Sequence, residues 1–359
     1  SLLFQPDALT SAQLTLSYNH EDTTSPRFLL RDTPDFPISA VDPRTDITND
    51  SYGVNLKIDH AFEAFDFHSI TAFQRNNSTQ LLDLTDGLVF GAIPGLPPID
   101  FNVPGGDLQD IDFGENVFMQ ELRLSSPEGN AVAWTAGVNV FRSDFEMESE
   151  GRSAIPSFAM LNGTQNNRLT TSSYSAFGEV TVPLAGRLNL TTGLRGTYEE
   201  KDARYVFRSN GTPGPVPFSE QDHSLSDSFL TGRAALSYDW TDRFMTYASV
   251  SRGYVAGGFP FVSVNNPFGR DEPSFPASRS WTYEAGFKSQ LLDDRLRVNG
   301  ALFFNDVKTA IWWCSTRSSH STRQPLSTTE ATAGKLRSRR GSRRASNCSA
   351  GSDTPMRNS

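Results

Sequence analysis

The first 310 of the 359 residues contain no cysteine; both, Cys314 and Cys348, sit near the C-terminus. A disulfide framework and a thiolate zinc site are therefore excluded from most of the chain. Long apolar runs are also missing. Mean hydropathy is −0.42, and no stretch approaches the roughly 18–20 residues that a membrane helix needs. That excludes helical spans only, because a membrane strand buries alternate residues and leaves a weak hydropathy signal. Histidine is scarce: His20, His60, His68, His223 and His320 are scattered with no pair at ligand spacing, so no metal centre is expected. Positive charge is short through residue 310, with 23 Lys and Arg against 39 Asp and Glu, a net of −16. Such a surface offers no electrostatic case for nucleic acid. No Ser–His–Asp or Cys–His arrangement, phosphate-cradling glycine loop or carboxylate pair stands out, so neither an enzyme nor a cofactor is expected. The chain opens Ser1-Leu2-Leu3-Phe4 with no basic leader, which reads as the interior of a longer exported protein.

What the chain does have is alternation. Tyr52, Val54, Leu56 and Ile58 share one side of a run whose other side carries Asn55, Lys57 and Asp59. Leu14, Leu16 and Tyr18 repeat the pattern, as do Trp134, Ala136, Val138 and Val140, then Leu188, Leu190 and Leu194, then Leu296 and Val298. Successive side chains on a strand point to opposite faces, so each run has an apolar and a polar side. About eleven such runs lie between Ala12 and Lys308.

Their connections come in two sizes. Short ones fall near 61–64, 127–130, 184–186, 239–242 and 292–294, and long ones near 21–50, 77–115, 146–169, 201–223 and 257–277. Long and short alternate strictly. An antiparallel meander with all its short turns at one end is the layout of an outer-membrane barrel; a soluble sandwich mixes its connection lengths. Runs of 10–15 residues exceed the usual globular strand, and aromatics gather near strand ends (Phe62, Phe65 and Phe67; Tyr238 and Trp240; Phe303 and Phe304), as an interfacial girdle requires. The expected fold is all-β, a partial up-and-down transmembrane barrel. Leu56, Ile58, Trp134, Val138, Leu190 and Val298 should meet lipid, while Asn55, Lys57, Glu121, Arg123, Asn189 and Arg297 line the lumen.

Several segments match one family's strands in order. They are Ser69-Ile70-Thr71-Ala72-Phe73, Gln120-Glu121-Leu122-Arg123-Leu124, Trp134-Thr135-Ala136-Gly137, Gly193-Leu194-Arg195, Tyr247-Ala248-Ser249-Val250-Ser251-Arg252-Gly253-Tyr254 with Gly257-Gly258-Phe259, and Tyr283-Glu284-Ala285-Gly286-Phe287-Lys288. In these the chain resembles the barrels of TonB-dependent outer-membrane receptors. The resemblance covers residues 1–310 and implies a bacterial outer-membrane location. It also implies contact with outer-membrane lipid, uptake of a ferric siderophore or similar scarce nutrient, and energy coupling through TonB. The family's N-terminal plug and its TonB-contacting segment have no counterpart here, and its barrels have about 22 strands against about eleven. This chain is therefore expected to be a fragment that transports nothing by itself. A passive porin-like channel is the alternative.

Arg75, Glu121, Arg123, Arg195 and Arg252 are the candidates for lining a ligand path; the plainer reading is lumen ion pairs. The acidic stretch Asp107, Asp110, Asp112 and Glu115 fits no EF-hand spacing and reads as a solvated loop. From Ile311 the character changes. No Phe, Tyr, Trp, Val or Ile follows Trp313, and nine basic residues stand against two acidic ones. The switch interrupts a strand, which points to out-of-frame translation over 311–359. A disordered coil with unpaired cysteines is expected there, the alternative being a natural basic tail.

Overall fold

The computed structural model describes residues 1–24, 46–83, 107–153, 162–211, 216–292, 295–308 and 329–337. Thirteen strands form one sheet in strict sequence order, every neighbour antiparallel. They are β1 Leu2–Phe4, β2 Thr10–Thr24, β3 Asp46–Ala61, β4 Asp66–Asp83, β5 Asp107–Ser125, β6 Ala133–Ser153, β7 Gly163–Ala185, β8 Leu188–Ser209, β9 Phe218–Thr241, β10 Phe244–Val255, β11 Ser278–Leu291, β12 Leu296–Lys308 and β13 Thr329–Arg337. β1 and β13 are not paired to each other, so the sheet has two edges. The expected eleven runs are β2–β12, and each expected short turn joins two of them.

The long connections differ from expectation. β6 runs to Ser153 and β7 begins at Gly163; β8 runs to Ser209 and β9 begins at Phe218. The spans 146–169 and 201–223 are thus mostly strand. The acidic stretch at 107–115 is likewise part of β5 and not a loop. The cause is that the strands continue beyond the bilayer, where the apolar side switches from the outer face to the inner one (Phe145 and Met147, Tyr205 and Phe207) and the lipid-stripe pattern breaks.

Paired residues share a face, so the register sorts every side chain. Leu56 opposes Leu14, Val138 opposes Leu122, Leu190 opposes Leu236 and Val298 opposes Ser289. The apolar stripe is exposed: Leu302 at 71%, Leu16 at 64%, Leu194 at 59% and Val138 at 49%. A sandwich would bury this stripe. Instead the buried hydrophobics among the described residues are Ile111, Met147, Ala203, Tyr205, Phe207 and Phe259, all at the far end from the short turns. On strands these are odd-numbered positions of β5, β6 and β8, on the polar face. At roughly 25 cal/mol per Å² such an exposed stripe is costly in water and at home against lipid.

Above the stripe, on the same face, comes a row of aromatics: Tyr18 and Tyr52 (ring centroids 5.1 Å apart), Phe73, Phe118, Tyr174, Tyr198 and Tyr283. A lower row includes Tyr238 and Trp240, 4.7 Å apart. Between the rows each strand shows about five outward positions, the roughly 25 Å apolar band of an outer-membrane barrel.

β13 corrects the expected coil over 311–359. Thr329–Arg337 pairs with β12, Thr329 opposite Val307 and Arg337 opposite Asn299. The unpaired N–H and C=O groups of an edge strand accept any proline-free segment in reach, and TEATAGKLR has no proline. His320, Cys314 and Cys348 lie outside the described residues.

Candidate functional site

The register divides the five candidate residues. Glu121 opposes Ile70 and Asn139, Arg123 opposes His68 and Gly137, and Arg195 opposes Phe177 and Thr231. These three stand on the polar face. Arg75 opposes Tyr52, and Arg252 opposes Gly232 and Trp281. Those two share the face of the lipid stripe and cannot line the lumen. The reason is parity: Arg75 is two residues from exposed Phe73, and Arg252 is four from Ala248, which opposes Ala285 and Leu236. Both sit just above the aromatic row.

Within the band the polar face is laced by paired charges. Lys57 Nζ is 3.0 Å from Asp59 Oδ2, and His68 Nδ1 is 2.6 Å from Asp59 Oδ1. His68 Nε2 lies 3.2 Å from Ser125 Oγ. Arg233 grips Glu179 through Nε and Nη2, both at 2.7 Å, while Arg123 is only loosely paired with Glu121 at 4.0 Å. Arg195 lies 5.7 Å above the Phe177 ring, which in turn covers Gly137: a Cβ there would come within 2.6 Å of Phe177 Cζ. Such pairs keep charges satisfied where bulk water is limited. Near the short turns Asp239, Lys288, Arg297 and Asn299 line a polar groove of about 250 Å³.

Above the band, loop 256–277 is strapped onto the polar face. Gly258 and Phe275 close its base with two backbone bonds, Gly258 N–H to Phe275 O at 3.1 Å and Phe275 N–H to Gly258 O at 2.8 Å. Lys201 Nζ donates to Gly257 O at 2.8 Å, the Tyr205 hydroxyl to Pro260 O at 2.5 Å, and Asn167 Nδ2 to Phe261 O at 3.0 Å. Gln221 holds the returning limb, donating to Arg270 O at 2.7 Å and accepting from Glu272 N–H at 2.9 Å. Burial, with Glu272 nearby, pushes the Tyr205 phenol well above its ordinary range, so it remains a donor. Phe259 packs with Ala203 and Tyr205 against Leu169 and Leu225. Phe261 completes a triangle with Phe113 and Phe145, centroids 5.9–6.4 Å apart.

Glu272 ties the strap to itself. It is 4% exposed, and its carboxylate accepts from Ser263 Oγ at 2.7 Å, Val264 N–H at 3.1 Å, Asn265 N–H at 2.9 Å and Asn265 Nδ2 at 3.1 Å. Four donors satisfy a buried charge without a cation. A 3-10 turn, Asn266–Phe268, ends at Gly269, whose φ of 65° suits glycine.

Sequence reasoning did not find Lys201, Tyr205, Asn167, Gln221 or Glu272. The one legible signal was the glycine pair Gly257-Gly258 ahead of Phe259. A Cβ on Gly257 would come within 2.7 Å of Phe275 O, so the pair marks a close crossing of two chains.

A single antiparallel meander with an exposed apolar stripe, two aromatic rows and a charged inner face defines the wall of an outer-membrane β-barrel. The chain matches the family "TonB dependent receptor-like, beta-barrel" over residues 4–339. It belongs to that family, one of bacterial outer-membrane transport receptors and not of enzymes. Solved structures agree in fold. The ferric yersiniabactin uptake receptor FyuA from Yersinia pestis matches with a TM-score of 0.70 and 17% identity, over 85% of this chain and 43% of that one. The ferric-catecholate import receptor Fiu from E. coli K12, in its closed form, matches at 0.59 and 14%, over 86% and 50%. The copper transporter OprC matches at 0.56 and 12%, over 86% and 44%. The chain thus spans about half the length of the solved proteins it resembles.

Proposed function

We propose that this sheet is part of the barrel wall of a receptor that takes up a ferric siderophore or a similarly scarce nutrient, driven through TonB at the inner membrane. The observation that carries the reading is the strap. A passive pore is served by an open polar channel; here 22 residues, 256–277, fold onto the polar face above the band, fixed by side chains of β7, β8 and β9. That supports a mouth built to engage a ligand. The siderophore class rests on the likeness to FyuA and Fiu, both named for ferric siderophore import.

The thirteen strands alone leave β1 and β13 as open edges. Unpaired backbone groups are not tolerated in lipid, so closure takes further strands and the sheet by itself carries nothing. The test uses the full-length receptor in cells stripped of their own siderophore receptors. Iron-55 delivered on a siderophore should enter, and loss of TonB should abolish entry. Energy-independent passage of small neutral solutes would identify a passive channel instead. Copper entry without iron entry would move the ligand class.

A further inference from the structure

The dipeptide Asn-Gly occurs three times in the chain, at Asn162-Gly163, Asn210-Gly211 and Asn299-Gly300. Glycine leaves the next backbone nitrogen unshielded and free to turn toward the asparagine side chain. By sequence the three are therefore equally prone to lose the side-chain amide. The fold separates them.

Asn299 lies within β12 opposite Lys288, and Gly300 lies opposite Phe287. A Cβ on Gly300 would come within 2.6 Å of Phe287 Cε1, so this strand pair is tightly apposed. Asn162 is 6% exposed. Gly163 opens β7 between Gly151 and Ser209, with a Cβ position only 2.3 Å from Arg208 O. Closing a ring from the asparagine Cγ to the next nitrogen requires the backbone to turn away from the extended form. Pairing on a strand and close packing both oppose that turn.

Asn210 is the first residue beyond the β8–β9 ladder, which Ser209 N–H closes by donating to Pro217 O at 3.1 Å. Asn210 and Gly211 are both exposed. Gly211 has φ of 94°, and a Cβ there would meet nothing within 4 Å. Its N–H donates to Ser209 Oγ at 3.1 Å, a side-chain contact that water can replace. Exposed hairpin tips are where a backbone opens at least cost.

We propose that Asn210 is a site of spontaneous deamidation, and that the fold confines the reaction to it. The Gly211 nitrogen gives up its proton and bonds to Asn210 Cγ; the Cγ–Nδ2 bond breaks and ammonia leaves, closing a succinimide. Water then adds to either ring carbonyl and opens the ring to aspartate or isoaspartate. Residues 209–217 carry no charged side chain as translated, so the tip becomes anionic with age. The carboxylate arises two positions from Arg208, the spacing at which Lys57 meets Asp59 at 3.0 Å and Arg142 meets Asp144 at 2.8 Å. It also arises beside the strap, which the same tip touches where Val216 N–H donates to Pro267 O at 3.0 Å.

The test holds the full-length receptor, folded in a neutral detergent, in mildly alkaline buffer made with heavy-oxygen water. Peptide mass spectrometry then reads the oxygen gained at each asparagine. Asn210 should take up label at least tenfold faster than Asn162 or Asn299, with part of the product as isoaspartate. In the unfolded receptor the three rates should converge to within a few-fold. Gly211→Ala should slow labelling at Asn210 several-fold, with boiling-sensitive gel mobility confirming that the barrel is folded. An unlabelled Asn210 would overturn the proposal, and so would equal labelling of the three sites in the folded receptor. A lead for Asn210 that persists undiminished after unfolding would overturn the role given to the fold.

Discussion

The Phe275 ring occupies the space that a side chain on Gly258 would need. A Cβ built there lies 2.7 Å from Phe275 Cζ and 3.4 Å from Lys201 Nζ. The same two residues exchange the backbone bonds that close the strap. Gly258→Val should therefore force the base apart, at about 1–3 kcal/mol for an overpacked contact. Limited proteolysis of the folded receptor would read it as faster cleavage within 256–277, with barrel heat stability little changed.

Glu272→Ala removes the acceptor of four donors and leaves Ser263, Val264 and Asn265 without it. Hydrogen bonds to a charged group contribute about 1.5–3 kcal/mol each, and not additively. Amide exchange at Val264 and Asn265 should accelerate by at least tenfold, while exchange in β3 and β4 stays the same. Unaltered protection at both amides would mean that the strap is held by its anchors on Asn167, Lys201, Tyr205 and Gln221 without the Glu272 carboxylate.

The two faces differ in tolerance. Val138→Arg puts a charge on the lipid stripe near mid-band and should cost about 2–4 kcal/mol. Lumen positions accept charge at little cost. In membranes, a cysteine at position 121 should react with a water-soluble thiol reagent and one at position 138 should not; the reverse order would invert the sheet.

His20 lies just above the aromatic row, with Nδ1 2.9 Å from Asp50 and Nε2 3.1 Å from Asp22. These bonds raise the imidazole above its usual value, the bond to Asp50 most. Asp22 is lowered by the Thr48 hydroxyl first and His20 second, and Asp50 by His20 first and the Tyr18 hydroxyl second. A raised histidine stabilises fully below the unfolded value of about 6.5 and loses that contribution as pH rises through the folded value. The lowered carboxylates stabilise above about 3.9 and lose it as pH falls through their folded values. The β2–β3 hairpin should therefore be most protected in mildly acidic solution, and His20→Gln should flatten the alkaline side of a proteolysis–pH profile.

We propose that residues 311–359 are out-of-frame translation. Reading the gene one base out of register near codon 310 should restore aromatic and β-branched alternation. If neither alternative frame does so, the tail is native and its basic charge is a selected feature.

Strand order and the short turns were legible because period-2 alternation survives wherever one face meets lipid. Tyr52 through Ile58 and Trp134 through Val140 needed nothing more. The upper halves of β6–β9 were not legible, because there the polar residues, Glu146, Glu148 and Glu150, take the outer face and the apolar ones, Phe145 and Met147, the inner, the reverse of the lipid stripe. Arg75 and Arg252 were placed on the wrong side because an arginine next to a lipid stripe looks misplaced until the headgroup layer is counted as part of the wall. The strap's anchors could not be read at all. Tyr205 and Pro260 are 55 positions apart, and a side chain that donates to a distant carbonyl leaves no periodic trace.

β7 has 23 residues and β9 has 24, whereas about 9–11 suffice to cross a bilayer. The surplus of about a dozen, at about 3.4 Å each and a tilt near 40°, lifts the rim about 30 Å clear of the lipid surface. The wall is therefore a parapet as much as a pore lining. Tyr205, four residues from the end of β8, stands near the top of this raised part, so the strap that it anchors is carried well clear of the lipid.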